Sequence, residues 1–156
     1  MSLRPEVPLR IVPELGINAC YIGPPDARVE VGAELVSMLT REELLAVVAH
    51  EAGHRNLWHI EQRYAMLFAT YGATVGAMVY ALSDLTAWWW PAAAYAAGVA
   101  LNELLAVLQE FQADAYARKV YGAQLVRVAF NKVMRRHRPH WLSKARLAVM
   151  NWAERR

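Results

Sequence analysis

The chain has 156 residues, of which 56% are hydrophobic and 20% are charged, and its formal net charge is +3. This length suits one domain with a core of its own, and the single cysteine, Cys20, excludes internal disulfides and a cysteine-based zinc finger. The hydrophobic fraction is high for a soluble domain, which raises the question of membrane contact.

The N-terminal third predicts an extended segment, a β-hairpin and a short helix. Three prolines punctuate residues 1–16, and their surroundings hold no apolar run typical of a signal peptide, so we expect this part of the chain in the cytoplasm. Residues 18–22 and 28–32 flank Gly23-Pro24-Pro25-Asp26, a strong turn signal, and the second run alternates apolar with polar residues like a half-buried strand. Residues 33–39 predict a short helix or turn.

The next helix carries the most informative motif. Thr40-Arg41-Glu42-Glu43 is a capping box that predicts its start, and His50-Glu51-Ala52-Gly53-His54 follows. Residues four apart lie about 40° apart on one helix face, so both imidazoles can bind one Zn²⁺. Glu51 is rotated to the side and is the natural general base for a water molecule that the metal activates. The alternative is a helix with two surface histidines. Because no proline interrupts the chain before Pro91, this helix can continue into the next segment.

Two uncharged segments follow the motif. Residues 64–83 and 85–102, separated by Asp84, predict two apolar helices joined by a tight loop, long enough for two membrane spans. Trp88-Trp89-Trp90 fits an interfacial aromatic belt, and Gly72-x-x-x-Gly76 fits close packing of membrane helices. We therefore expect membrane association through residues 64–102. The alternatives are a buried hairpin of a soluble cytoplasmic protein and an oligomer interface.

Basic residues support one orientation of such a hairpin. They flank it on the side of the zinc motif, which the positive-inside bias would place in the cytoplasm: Arg55, Arg63, Arg118 and Lys119.

A third metal ligand is expected downstream, because a catalytic zinc takes three protein ligands and keeps one position open. Glu110 and Asp114 share one face of a helix predicted over residues 104–121. We expect Glu110 to bind zinc and Asp114 to accept the free N–H of a ligand histidine. His59 and Glu103 compete with Glu110, but His59 lies on a different helix face and Glu103 has no acidic partner four residues on. Residues 123–137 and 142–155 predict two further helices.

Four motifs in a fixed order resemble one known family. They are Asn18-Ala19, the run from Leu39 to His54, Glu110-x-x-x-Asp114, and a late His140 followed six residues on by Arg146. Together they span most of the chain and resemble the HtpX and CAAX-prenyl-endopeptidase family of gluzincin metallopeptidases, and its small minigluzincin relatives.

The resemblance implies a zinc-dependent endopeptidase with one bound Zn²⁺ and a polypeptide substrate. It implies that His140 steadies the oxyanion, that Arg146 orders the acidic groups, and that Asn18 and Ala19 belong to an edge strand along which an extended peptide binds. Two departures are Trp141, where the family usually has proline, and Gln112, where a second glutamate is common. Neither removes a ligand.

The expected fold is α+β and predominantly α-helical: an N-terminal β-hairpin, a zinc-binding helical bundle and an apolar helical hairpin between the metal motifs, in a single domain over 1–156. A competing function is a non-catalytic, zinc-stabilised membrane or interaction module. Closed structural zinc sites, however, rarely combine two histidines and a carboxylate with an acid beside the metal. Nucleic-acid binding is not expected, because the basic run at 135–138 has no aromatic platform or reader motif beside it. An oligomer is left open.

Overall fold

The structure is a computed structural model that describes residues 8–84, 87–136 and 141–153. Over these residues the fold is α+β and predominantly helical, as predicted. The strands are β1 (Leu9–Val12), β2 (Ala19–Ile22) and β3 (Arg28–Gly32), with a short 3-10 turn at Pro13–Leu15. The helices are α1 (Ala33–Met38), α2 (Arg41–Asn56), α3 (His59–Ser83), α4 (Trp90–Tyr121), α5 (Ala123–Arg136) and α6 (Trp141–Ala153).

The chain divides into two compact units. The first is built from the chain up to Leu57 and from Glu110 onward, and the second from Trp58–Gln109. The first unit therefore holds the sheet and both metal motifs, and the second holds the apolar hairpin.

The sheet of the first unit has the strand order β1-β3-β2. The predicted hairpin is confirmed, because β2 and β3 pair antiparallel. The extended segment predicted over residues 1–16 contributes β1, which pairs parallel with β3, and then turns at Pro13–Leu15. Val29 and Val31 on the central strand are completely buried and pack with Leu35 of α1 and Val48 of α2. This core holds β2, the edge strand, against α2.

Helix α2 begins and ends at defined positions. The predicted capping box is present: the Glu43 N–H donates to Thr40 Oγ1 at 3.3 Å, and the Thr40 N–H donates to Glu43 Oε2 at 2.8 Å. The helix ends at Asn56, and Trp58 follows with a φ of 58°, in the left-handed region that only glycine adopts without cost. The expectation that α2 can continue into the next segment is therefore wrong, and α3 starts as a separate helix.

Small residues let α2 and α4 approach each other closely. Ala46 and Ala49 on α2 and Ala113 and Ala117 on α4 are all buried. A Cβ at Gly53 would lie 3.1 Å from Cα of Ala113, so a side chain there would press on the backbone of α4. This close contact brings the histidines of α2 within reach of Glu110, which lies one helical turn before Ala113.

The second unit is a pair of antiparallel helices. Nε2 of Gln109 donates to the backbone oxygen of His59 at 3.0 Å, and a Cβ at Gly98 would overlap the side chain of Thr70. The two contacts are eleven residues apart on each helix, from His59 to Thr70 on α3 and from Gln109 back to Gly98 on α4. This equal spacing is expected for straight antiparallel helices. The predicted two-helix hairpin is thus present, and Gly98 provides its close approach. Apart from its chain neighbours and the backbone of its own helix, no described atom lies within 4 Å of a Cβ built at Gly72 or Gly76.

Candidate metal centre

Three donor atoms converge in the first unit. Nε2 of His50 lies 3.4 Å from Nε2 of His54. The Glu110 carboxylate lies 3.5 Å from His50 Nε2 through Oε2 and 3.6 Å from His54 Nε2 through Oε1. Two ligand atoms bound at about 2.0–2.1 Å to a tetrahedral Zn²⁺ are about 3.3–3.4 Å apart. Both the donor types and their separations therefore fit a zinc ion with one open position, and His50, His54 and Glu110 could hold it.

Asp114 and Arg146 surround the ligands on one side. Nδ1 of His50 is buried and lies 3.0 Å from Oδ1 of Asp114. Arg146 donates from Nε and Nη2 to the two oxygens of Asp114, both at 2.7 Å, and its Nη1 forms an ion pair with Glu110 Oε2, also at 2.7 Å. One guanidinium thus fixes both carboxylates.

The electrostatics of the group favour a bound cation. Burial alone would lower the pKa of His50, but its contacts with Asp114 and Glu110 raise that pKa to about 9. Burial alone would raise the pKa of Glu110, but His50 and the Arg146 charge hold it at about 2. The pKa of Asp114 is likewise lowered by Arg146 and His50 against the effect of its burial. The carboxylates therefore stay ionised and stabilise positive charge at the imidazoles, which a proton or a metal ion can supply.

Glu51 lies beside this group and faces the edge of the sheet. Burial and the nearby Glu110 charge raise the pKa of its carboxyl, while His50 and a hydrogen bond from the Tyr21 backbone N–H oppose the rise. That amide is available because of the strand register. The Gly32 N–H donates to the Asn18 oxygen at 2.8 Å, so in an antiparallel pair the N–H and C=O groups of Ala19 and Tyr21 point away from β3.

The family comparison agrees with this geometry. A sequence model of peptidase family M48 matches residues 8–152, which covers both units. The chain belongs to peptidase family M48. A general metallopeptidase activity follows, with hydrolysis of polypeptides as its reaction. No curated protein and no solved structure matched the chain.

The remaining predicted residues of this M48 peptidase lie as follows. Asn18 is exposed, directly before β2, and Ala19 begins that edge strand. His140 lies outside the described residues. The rejected candidates His59 and Glu103 belong to the second unit, and His59 is almost completely buried there.

Two residues of the metal centre were not found from the sequence. Tyr21 contributes only a backbone amide, which no side-chain motif can reveal. Phe130 on α5 has its ring centroid 4.7 Å from Cζ of Arg146, and in the sequence it is one of several apolar residues of an amphipathic helix.

Proposed function

We propose that this M48 peptidase is a zinc-dependent endopeptidase in which His50, His54 and Glu110 hold one Zn²⁺. The observation that carries the proposal is the set of donor separations, 3.4–3.6 Å, which match those around a tetrahedral zinc. A zinc ion held there supplies a Lewis acid for a water molecule and for the scissile carbonyl.

Glu51 is the proposed general base. It accepts a proton from the attacking water and passes that proton to the leaving amine. Its raised pKa suits both halves of this task, because a base with a pKa nearer neutrality both accepts and returns a proton readily. The amide of Tyr21 holds the carboxylate on the side of the edge strand.

The substrate is proposed to bind as an added strand along β2. The backbone groups of Ala19 and the carbonyl oxygen of Tyr21 point away from β3, so an extended peptide can pair with them, while the Tyr21 N–H serves Glu51. The exposed side chain of Asn18 lies at the start of this binding edge. His140, by the family resemblance, donates to the oxyanion of the substrate carbonyl, for which one well-placed donor lowers the barrier by about 3–4 kcal/mol. Asp114 and Arg146 orient His50 and Glu110.

Zinc content and peptide cleavage test the ligand set. Glu110→Ala should purify with little zinc and lose cleavage of a casein or peptide substrate, because only two protein ligands remain. Glu103→Ala is the matched control: it removes the same side chain from the same helix, outside the metal centre, and should keep both zinc and activity. A chelator should abolish wild-type cleavage, and added zinc should restore it. Full zinc content in Glu110→Ala would overturn the assignment.

We further propose that the apolar hairpin inserts into a membrane with the metal centre on the cytoplasmic side. Helices α3 and α4 are long and apolar enough to span a bilayer, and only 6% of the most apolar stretch of each is buried. A core helix of a soluble protein would be mostly buried. Large exposed apolar residues instead line both helices: Leu67, Phe68, Tyr71, Val75, Met78, Val79, Leu82, Tyr95, Val99 and Leu101.

The length of the uncharged part of the hairpin fits the thickness of a bilayer. By the register of the two helices, Glu103 lies at the level of Ala65, close to the level of Arg63. Between the level of Glu103 and Asp84, neither helix of the hairpin has a charged side chain. About 18 residues at 1.5 Å each give a depth of about 27 Å, close to the roughly 30 Å of the hydrocarbon core. Glu103 therefore lies at the border of the apolar region, and exposed Trp88 lies at its opposite end.

Carbonate extraction and thiol labelling test insertion and orientation. The protein should stay in the membrane pellet at high pH. In a Cys20→Ser background, Asp84→Cys should react with an impermeant maleimide added to intact expressing cells, whereas Arg136→Cys should react only after the membrane is opened. Release by carbonate would contradict insertion, and the reverse labelling pattern would contradict the orientation.

A further inference from the structure

We propose that Phe130 is a positioning residue of the metal centre, whose ring face holds the Arg146 guanidinium in the orientation that joins Glu110 to Asp114. Cζ of Arg146 lies 4.7 Å from the centroid of the Phe130 ring, within the range of a cation–π interaction. The inference rests on the proposed zinc site and adds a residue to it from α5, a helix that contributes no donor atom to the cluster of His50, His54 and Glu110.

The two hydrogen bonds of Arg146 to Asp114 lie in the plane of its guanidinium and do not use its faces. These two bonds leave from Nε and Nη2, while Nη1 forms an ion pair with Glu110 Oε2 at 2.7 Å and Nη2 also lies 3.5 Å from Nε2 of His50. The side chain retains only 13% exposure, so water covers little of its surface. An aromatic face is one of the few groups that stabilise a partly desolvated guanidinium from this direction.

Phe130 itself is partly buried. Its neighbours Val126 and Ala129 are buried on the same helix, and Phe130 packs against the apolar cluster that joins α2, α4, α5 and α6. This packing against the core of the first unit positions the ring beside the Arg146 fork.

The orientation matters because the contacts form a chain that ends at a metal ligand. Arg146 fixes Asp114 through two bonds, and Asp114 lies 3.0 Å from Nδ1 of His50. The fork is planar, so a rotation of the guanidinium breaks one of the paired bonds and loosens the carboxylate. Loss of partners that orient metal ligands typically lowers metal affinity 10- to 100-fold. Phe130 acts one step further out, and we expect its effect to be about tenfold.

A fluorination series separates this role from simple packing. Replacing Phe130 by mono-, di- and trifluorophenylalanine keeps the ring nearly the same size but progressively removes the negative charge of its face. Zinc affinity of the full-length protein in detergent, measured by competition with a chelator, should fall stepwise along the series. Phe130→Trp should retain affinity, and Phe130→Leu should lose about tenfold at a temperature where both variants are folded. A flat series, or wild-type affinity in Phe130→Leu, would refute the proposal.

Two further measurements keep the inference separate from the zinc proposal. In an Arg146→Met background Phe130→Leu should have no additional effect on zinc affinity, because the interaction it removes is already absent; full additivity would contradict the proposal. The NMR signal of the Arg146 Nε–H in the metal-free protein should exchange faster with water in Phe130→Leu than in wild type, and equal exchange would contradict it. If wild type binds no zinc, the proposed function fails, while the NMR comparison still decides the role of Phe130.

Discussion

The close contact at Gly53 makes a quantitative prediction about the metal centre. A Cβ at this position would lie 3.1 Å from Cα of Ala113 and 3.3 Å from Cβ of Tyr116. Ordinary carbon–carbon contacts are about 3.5–4.0 Å, so Gly53→Ala requires α2 and α4 to separate by roughly half an ångström. The nearest obstacle is backbone, which cannot rotate away.

The expected loss follows from the geometry of coordination. Metal–ligand distances tolerate only about ±0.2 Å, and a shift of α4 moves Glu110 away from His54 by more than that. Zinc affinity should therefore fall by about tenfold or more, by analogy with the loss of ligand-orienting groups. Stability should change less, because overpacking costs about 1–3 kcal/mol while alanine gains about 1 kcal/mol over glycine in a helix.

Chelator competition and thermal unfolding with and without zinc measure both effects. Gly72→Ala is the matched control, since the new Cβ meets no described atom within 4 Å apart from its chain neighbours and the backbone of its own helix, and the residue is in the middle of α3. This control should gain up to about 1 kcal/mol of stability and keep its zinc affinity. If Gly53→Ala matches the control in both measurements, the approach of α2 to α4 does not set the spacing of the ligands.

Two predictions concern stability. Trp58→Gly should raise the free energy of unfolding by about 0.5–1 kcal/mol in chemical denaturation, because it relieves the left-handed backbone at φ 58° and the indole is 66% exposed; Trp58→Ala keeps the strain and should show no gain. Lys132→Met removes the Glu43–Lys132 ion pair, whose atoms lie 2.7 Å apart, and should lower the free energy of unfolding by about 1 kcal/mol at pH 7. The value is modest because the lysine is 40% exposed. Burial alone would raise the pKa of Glu43, but its bonds with Lys132 and Thr40 lower that pKa below 4.5. The stabilisation by the ion pair is therefore complete above pH 4.5 and is lost as the pH falls through the lowered pKa. Urea titrations at pH 7 and pH 3 check it, and an equal difference at both pH values would contradict the assignment.

Local signals predicted much of the fold. The capping box at Thr40 marked the start of α2, the turn at Gly23-Pro24-Pro25-Asp26 marked the hairpin, and the uncharged runs marked the helices of the second unit. Each is a signal within a few residues of the element it specifies. The spacing of Glu110 and Asp114 likewise placed both on one helix face, and the structure brings Glu110 to the two histidines. Their roles in catalysis stay predictions.

Other features depend on contacts between distant residues. The parallel pairing of β1 with β3 leaves no local mark, because β1 is a short strand among prolines. The break after Asn56 contains neither proline nor glycine, and Trp58 adopts its backbone conformation at a cost in energy. Gly72-x-x-x-Gly76 suggested the close contact of the apolar helices, but Gly98 provides it, because only the register of the two helices decides which glycine faces the partner.

Glu51→Gln tests the central claim most directly. Glutamine keeps the shape and the hydrogen bond from the Tyr21 amide but cannot accept a proton. The variant should bind zinc as tightly as wild type by chelator competition and should lose peptide cleavage by at least about a hundredfold, the usual contribution of a general base. Cleavage at the wild-type rate by a zinc-loaded Glu51→Gln protein would contradict the account.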